Sequence, residues 1–204
     1  MAAVRLLPFT GLMIPFVLLI RALMPVLGYY MPWYVFGGIF QLIGGSLMYT
    51  ISSRTSTNTI YGYRVLLGIR CGVSMQSAYS IIAAKVKPQG VPAAIGSINL
   101  AQIGGSVFAL TIARTVFQNV AYDKLDKALS EEGFNDADIR SAIAGTQSAI
   151  FRRGSEEVRD AAVKAVIEAI SNVYILTIVA GAVTFAGGLS MRWEKLRMKN
   201  GTTE

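Results

Sequence analysis

The sequence predicts an all-α, polytopic membrane protein with about five transmembrane helices, and three observations carry that expectation. Only 15% of the 204 residues are charged and 53% are apolar, whereas soluble globular domains carry about 25% charged residues. The first acidic residue is Asp123, so more than half of the chain has none. Five apolar stretches recur along the chain, each about as long as the roughly 20 residues a helix needs to cross a hydrocarbon core of about 30 Å.

The first span is expected from Pro8 to Leu27. Pro8 suits a first helical turn, where its missing N–H costs nothing. Pro15 and Pro25 would kink the helix, which membrane helices tolerate when neighbours satisfy the freed carbonyls. Arg21 lies near one end, placed either to snorkel to the interface or to line a cavity. The apolar run is too long for the h-region of a cleavable signal peptide, and more spans follow it.

Gly28-Tyr-Tyr-Met-Pro32 reads as a tight turn, and Trp33 to Ile51 as the second span, with Trp33 and Tyr34 as interfacial aromatics. Gly37-Gly38 and Gly44-Gly45 stand about two turns apart and strip one helix face of side chains, which lets membrane helices pack closely. After a polar loop at residues 52–59, the third span runs from Tyr61 to Ala84. The basic loop Lys85-Val86-Lys87-Pro88-Gln89-Gly90-Val91-Pro92 follows, and the fourth span ends at Gln118. Gly104-Gly105 give that span a second close-packing step.

Residues 119–171 differ, holding all but two of the acidic residues. Asn135 with Asp136 and Asp138 reads as a helix N-cap, Gly145 as its stop, and Ser155 as a second N-cap with Glu156 and Glu157 in its first turn. Asp160, Lys164 and Glu168 are spaced for i,i+4 pairs on a wet face, with Val158, Ala162, Ala165 and Ala169 roughly opposite. The expected organisation is four spans in residues 1–118, an extramembrane loop of short amphipathic helices in 119–171, a fifth span in 172–191 and a basic cytosolic tail in 192–204. The loop has too few large apolar residues to fold as a separate domain.

Composition also excludes several classes. The single cysteine, Cys71, and the absence of histidine rule out an intrachain disulfide or a Cys/His zinc site. The net charge is +7, but the basic residues sit singly beside apolar spans, so no nucleic-acid partner is expected. No nucleophile–base pair supports an enzyme, and no metal or cofactor is called for. The candidate chemistry is polar groups inside the spans, which usually face protein or a water-filled cavity. Arg70, Ser74 and Ser77 share one face of the third span, with Gln76 beside them. On the fourth, Asn99, Gln102 and Ser106 form one stripe, and Ser97, Gly104, Phe108, Thr111 and Thr115 another. Arg70, Gln76, Gln102 and Phe108 are the candidate substrate-lining residues. The same polar groups would equally serve as interhelical hydrogen-bond partners, and the sequence leaves both roles open. Arg70 is the most demanding, a mid-span charge with no carboxylate in any span to pair with it.

Several motifs in order carry a resemblance: Arg5-Leu-Leu-Pro8, Gly28-Tyr-Tyr-Met-Pro32, Gly68, Gly72, Gln76, Lys85-Val-Lys-Pro88, Val91-Pro92, Gln102-Ile-Gly104-Gly105 and Thr115-Val-Phe-Gln-Asn119. Together they resemble the late spans of fungal multidrug exporters of the major facilitator superfamily, in the fourteen-span drug:proton antiporter branch. The resemblance implies a partial major facilitator fold, the last part of such a transporter. It also implies efflux of small, mostly apolar organic molecules across the plasma membrane, with the bilayer and such a substrate as partners. It places the long loop outside and the basic loop and tail in the cytosol. Arg70 stands where the family usually has glycine, so it marks either an anionic substrate or a relaxed copy. None of the five spans has His, Asp or Glu, so a proton-coupling carboxylate would lie in another part of the transporter. The chain alone is expected not to complete a transport cycle. The alternative is a non-transporting membrane protein that acts through helix association.

Overall fold

The computed structural model describes residues 7–129, 134–145, 150, 154–191 and 193. Six α-helices account for most of them: α1 (Leu7–Leu27), α2 (Met31–Tyr49), α3 (Thr57–Lys85), α4 (Val91–Leu129), α5 (Asp136–Ala144) and α6 (Glu156–Ser190). No β-strand occurs among the described residues. The basic tail, apart from Trp193, lies outside them.

Each helix end has a local cause. Gly28 closes α1 at φ 69°, a left-handed conformation that glycine adopts without a Cβ penalty. Pro32 sits in the first turn of α2. The Ser56 hydroxyl caps α3 by accepting from the Thr59 N–H at 3.3 Å, and the one-turn 3₁₀ helix Pro88–Gly90 separates α3 from α4. Asn135 and Asp138 form a reciprocal capping box at the start of α5, at 2.9 and 3.3 Å. Gly145 ends that helix, and Ser155 caps α6 through the Val158 N–H at 3.3 Å.

The packing order is α1 on α3, α3 on α2 and α2 on α6. Glycine sets the spacing at each seam. A Cβ on Gly72 would lie 2.8 Å from the Met13 carbonyl oxygen of α1. On α2, Gly37 and Gly44 face α3, where added Cβ atoms would stand 3.4 Å from Ser74 Oγ and 2.9 Å from Leu67 Cδ2. The adjacent pair, Gly38 and Gly45, faces α6, and Gly181 and Gly188 of α6 return the contact within 3.0 Å of the α2 backbone. Without a hydrophobic force between helices in lipid, such backbone proximity is what holds them.

The expected boundaries at 118/119 and 171/172 coincide with no helix end. At 1.5 Å per residue the 39 residues of α4 run about 58 Å and the 35 of α6 about 53 Å, well beyond a core of about 30 Å. Both helices continue from the spans into the acidic segment and build it. There Leu125, Leu129, Ile139, Ile150, Val158, Ala162 and Ala165 form a buried core closed by Tyr122, Phe134, Ile143 and Val166. This cap is more compact than its composition suggests, because α4 and α6 supply ordered scaffolding that a 50-residue chain alone would lack. Glu168, which still feels Lys164 one turn away, makes its close ion pair across the fold: it accepts from Lys124 Nζ of α4 at 2.7 Å.

Of the described helices, α3, α4 and α6 are long and apolar enough to cross a membrane. In α1 the described apolar stretch is shorter, Met13–Leu23.

Candidate functional site

The hairpin between α3 and α4 brings three polar side chains together. Tyr79 Oη donates to Asn99 Oδ1 at 2.6 Å and lies 3.2 Å from Gln102 Oε1. Spacing explains the pairing: Asn99 and Gln102 are three residues apart on α4, so both amides face one phenol. With their carbonyl oxygens turned to Tyr79, the two amide NH₂ groups remain as donors. Of the candidate lining residues, Gln102 is therefore in a defined polar cluster. Gln76 lies on α3 one turn before Tyr79, but its side chain is outside the described set.

Phe108 is not part of this cluster. It stands six residues further along α4 and is 74% exposed. Gly104 and Gly105, expected as a packing pair, meet no atom within 4 Å of an added Cβ. The reason is the course of α4, which touches α3 near the hairpin and packs on α6 through Ala121, Leu125 and Leu129, leaving its middle clear of both. Gly44 and Gly45, in contrast, are buried against Leu67 of α3 and Ile178 of α6.

The hydroxyls of α4 are satisfied within the helix. Ser97, Ser106, Thr111 and Thr115 each donate to the carbonyl four residues earlier, at 2.7–3.0 Å. Such back-bonding lets a polar stripe sit in lipid or against protein without an external acceptor.

Arg70 belongs to a different level of the molecule. Its Nε is buried with no hydrogen-bond partner, as is Ser74 Oγ one turn on. Gln41 of α2 is 4% exposed, and its Oε1 is likewise unpartnered. The contacts of Gly37 with Ser74 and of Gly44 with Leu67 set the α2–α3 register and put Gln41 and Arg70 at one height. Gln41 was not a sequence candidate; its signal is a lone amide between two glycine pairs. Cys71 is half-buried and free. Among the described residues no cluster of His, Cys, Asp and Glu has metal-site geometry.

Comparison with known proteins fits this all-helical, apolar frame. No family model matches the chain, and no solved structure does. The MFS-type transporter pgmG of Aspergillus terreus is 39% identical over 201 residues, which is 98% of this chain and 36% of that protein. The efflux pump alnA of Emericella nidulans is 40% identical over 96% of the chain and 35% of its own length. The MFS-type transporter patC of Penicillium expansum is 38% identical over 89% and 33%. The chain thus spans about a third of the length of the curated relatives it matches, and over that third it is their homologue.

Proposed function

We propose that this chain forms about a third of a major facilitator-type exporter of small organic molecules. The observation that carries this reading is the match of nearly the whole chain to fungal proteins named as MFS-type transporters and efflux pumps. In this reading α1, α2, α3, α4 and α6 are five spans, and the cap lies outside the bilayer. The basic loop between α3 and α4 lies in the cytosol, and the membrane is the plasma membrane. The bare middle of α4 supports it. None of its membrane-length window is buried in this chain, and Leu100, Ile103, Phe108 and Leu110 are all exposed. An exposed run of large apolar residues on a helix of this length belongs against lipid or further helices, and the remaining two-thirds of a relative's length would supply the latter. Gly104 and Gly105 would then pack against those helices. Arg70, Gln76, Gln102 and Phe108 would line the path between the two bundles, which rock about a midplane site in this kind of transporter.

The test is a chimera. This chain replaces the matching third of the Aspergillus terreus relative, and export is measured in cells lacking their own pumps. Export is expected to survive the exchange. A chimera that reaches the membrane intact but exports nothing would refute the reading. In the active chimera, Gln102→Leu is expected to change substrate affinity, because it removes an amide donor from the Tyr79 cluster. The purified chain alone in liposomes is expected to show no flux above that of empty vesicles.

A further inference from the structure

Among the described residues, three buried side-chain atoms have no hydrogen-bond partner: Arg70 Nε, Ser74 Oγ and Gln41 Oε1. They belong to one junction. Leu66, Leu67, Val73 and Ser74 of α3 come within 3.7 Å of where Cβ atoms on Gly37 and Gly44 of α2 would stand. Arg70 falls midway between those contacts and so lies on the α2-facing side of α3. Gln41 falls midway between the same two glycines, and its Cγ lies 3.2 Å from where a Cβ on Gly181 of α6 would stand. We infer that Arg70, Gln41 and Ser74 form a subsite for a carboxylate, and, resting on the transporter reading, that the assembled transporter exports organic acids.

Charge decides the class of ligand. Arg70 is permanently protonated and half-buried, and no acidic residue precedes Asp123 in the chain. Glu168 of α6 stands 13 residues before Gly181, about 20 Å of helix away. Asp123 is at that same remote level, next to the Lys124 that pairs with Glu168. Among the described residues, therefore, no carboxylate neutralises Arg70, and a charge buried without a counter-ion is costly. One negative charge balances one arginine, whereas a phosphate dianion would bring surplus charge into an apolar seam. A carboxylate also has two oxygens with about four lone-pair sites. These are enough to accept from Arg70 Nε, from the Ser74 hydroxyl and from the Gln41 amide, once its NH₂ is turned to where Oε1 lies. Gln41 is only 4% exposed, so leaving that bond unmade costs stability that a ligand restores. Gly37 and Gly44 hold α2 against α3 too closely for a further helix to pass between them. That favours the carboxylate of a small molecule over one carried on an added helix.

The probes are phenylbutyrate and phenylbutanol, an acid and an alcohol on one carbon skeleton. Their binding to the purified chain in neutral detergent is measured by equilibrium dialysis. The acid is expected to bind at least about tenfold more tightly than the alcohol, the contribution of one charge-assisted contact. Arg70→Gln is expected to erase that preference, and Arg70→Lys to keep part of it. Should Arg70→Gln fold poorly, Gln41→Glu supplies Arg70 with a built-in carboxylate and is expected to erase the preference as well. Equal binding of acid and alcohol, or a preference undiminished in the folded variants, would overturn the subsite, its polar atoms then being served by water alone. In the export-active chimera, the acid is expected to inhibit export and the alcohol to leave it unchanged. Acid binding by the chain without inhibition of the chimera would overturn the substrate assignment, since a side chain of the added helices would then hold Arg70. An inactive chimera beside intact, Arg70-dependent binding would instead sink the transporter reading and leave the subsite standing.

Discussion

The two halves of α4 use similar residues to opposite ends. From Leu100 to Ile112 its leucines, isoleucines and Phe108 are exposed, with Leu110 at 69%. Further along, the same helix puts Leu125 and Leu129 into the buried core of the cap, with Leu125 at 0%. Hydrophobicity does not separate these regions; what surrounds them does. The cap half sits among charged residues and excludes water by packing on α5 and α6. The exposed apolar residues of the other half find no core among the described residues, and in the proposed setting lipid and further helices take that place. Cap stability should therefore depend on side-chain volume, and the span half should be indifferent to it until its partners are present.

Truncation gives the largest expected contrast. Leu125→Ala removes a side chain from a closed core and is expected to destabilise the cap by about 2–5 kcal/mol. Leu110→Ala is expected to cost less than about 0.5 kcal/mol in the isolated chain. Hydrogen exchange of the α5 amides in detergent reads the difference. Equal protection in both variants would mean that the cap is not held by its own core.

Overpacking sharpens the same comparison inside the membrane. A Cβ at Gly38 would lie 2.8 Å from the Phe185 backbone, so Gly38→Leu is expected to cost about 1–3 kcal/mol or more and to separate α2 from α6. Gly105→Leu meets open space and is expected to leave the chain's stability within about 0.5 kcal/mol. In the chimera, however, Gly105→Leu is expected to reduce export. Reporter fluorescence yields and thermal melts of the two variants, alone and in the chimera, separate these outcomes. Full export by the Gly105→Leu chimera would place lipid, not protein, on that face.

Capping supplies a smaller effect. Asn135→Ala removes half of the capping box and is expected to cost about 1 kcal/mol, seen as faster exchange in α5 alone. Faster exchange throughout α4 would show instead that α5 is needed to hold the α4–α6 contact.

Local signals in the sequence were legible in proportion to how local their physics is. The Asn135 and Ser155 caps, the Gly145 stop, the Gly28 turn and the buried stripe Val158, Ala162, Ala165 and Ala169 depend on neighbours within a turn or two, and the structure forms all of them. The cap core was not legible, because Leu125 and Leu129 follow an apolar span and carry no mark of facing Ile139 or Ala162. The same limit hid the difference between Gly44-Gly45 and Gly104-Gly105. Both are paired glycines in apolar helices, but among the described residues an added Cβ meets a neighbouring helix at the first pair and open space at the second. In the candidate site, the polar stripe on α4 was readable, whereas the role of Tyr79 as the hinge between Asn99 and Gln102 required the hairpin itself.

The smallest expected effect concerns the ion pair that ties the two long helices together above the spans. Lys124 Nζ donates to Glu168 Oε2 at 2.7 Å, and both side chains are more than a third exposed. The hydrogen bond from Lys124 holds the Glu168 carboxyl below its ordinary range, against a smaller opposing effect of desolvation. The reciprocal bond raises Lys124 above the ordinary lysine value. The sign follows from linkage. A depressed carboxylate contributes stability above its unfolded-state value and loses it as pH falls through the folded one; a raised lysine contributes below its unfolded-state value and loses it as pH rises through the folded one. The pair should therefore support the cap in full between the ordinary glutamate and lysine ranges, fading beyond either end. Exposure and screening keep the effect modest, and salt should shrink it further. Comparison of the chain with Glu168→Gln by exchange in α5 and the first turns of α6 reads it out. The two should differ at neutral pH and low salt, and converge in acid below the glutamate range. A difference that persists unchanged in acid would show that Glu168 acts on the cap through packing, and that the contact with Lys124 contributes nothing to holding α4 against α6.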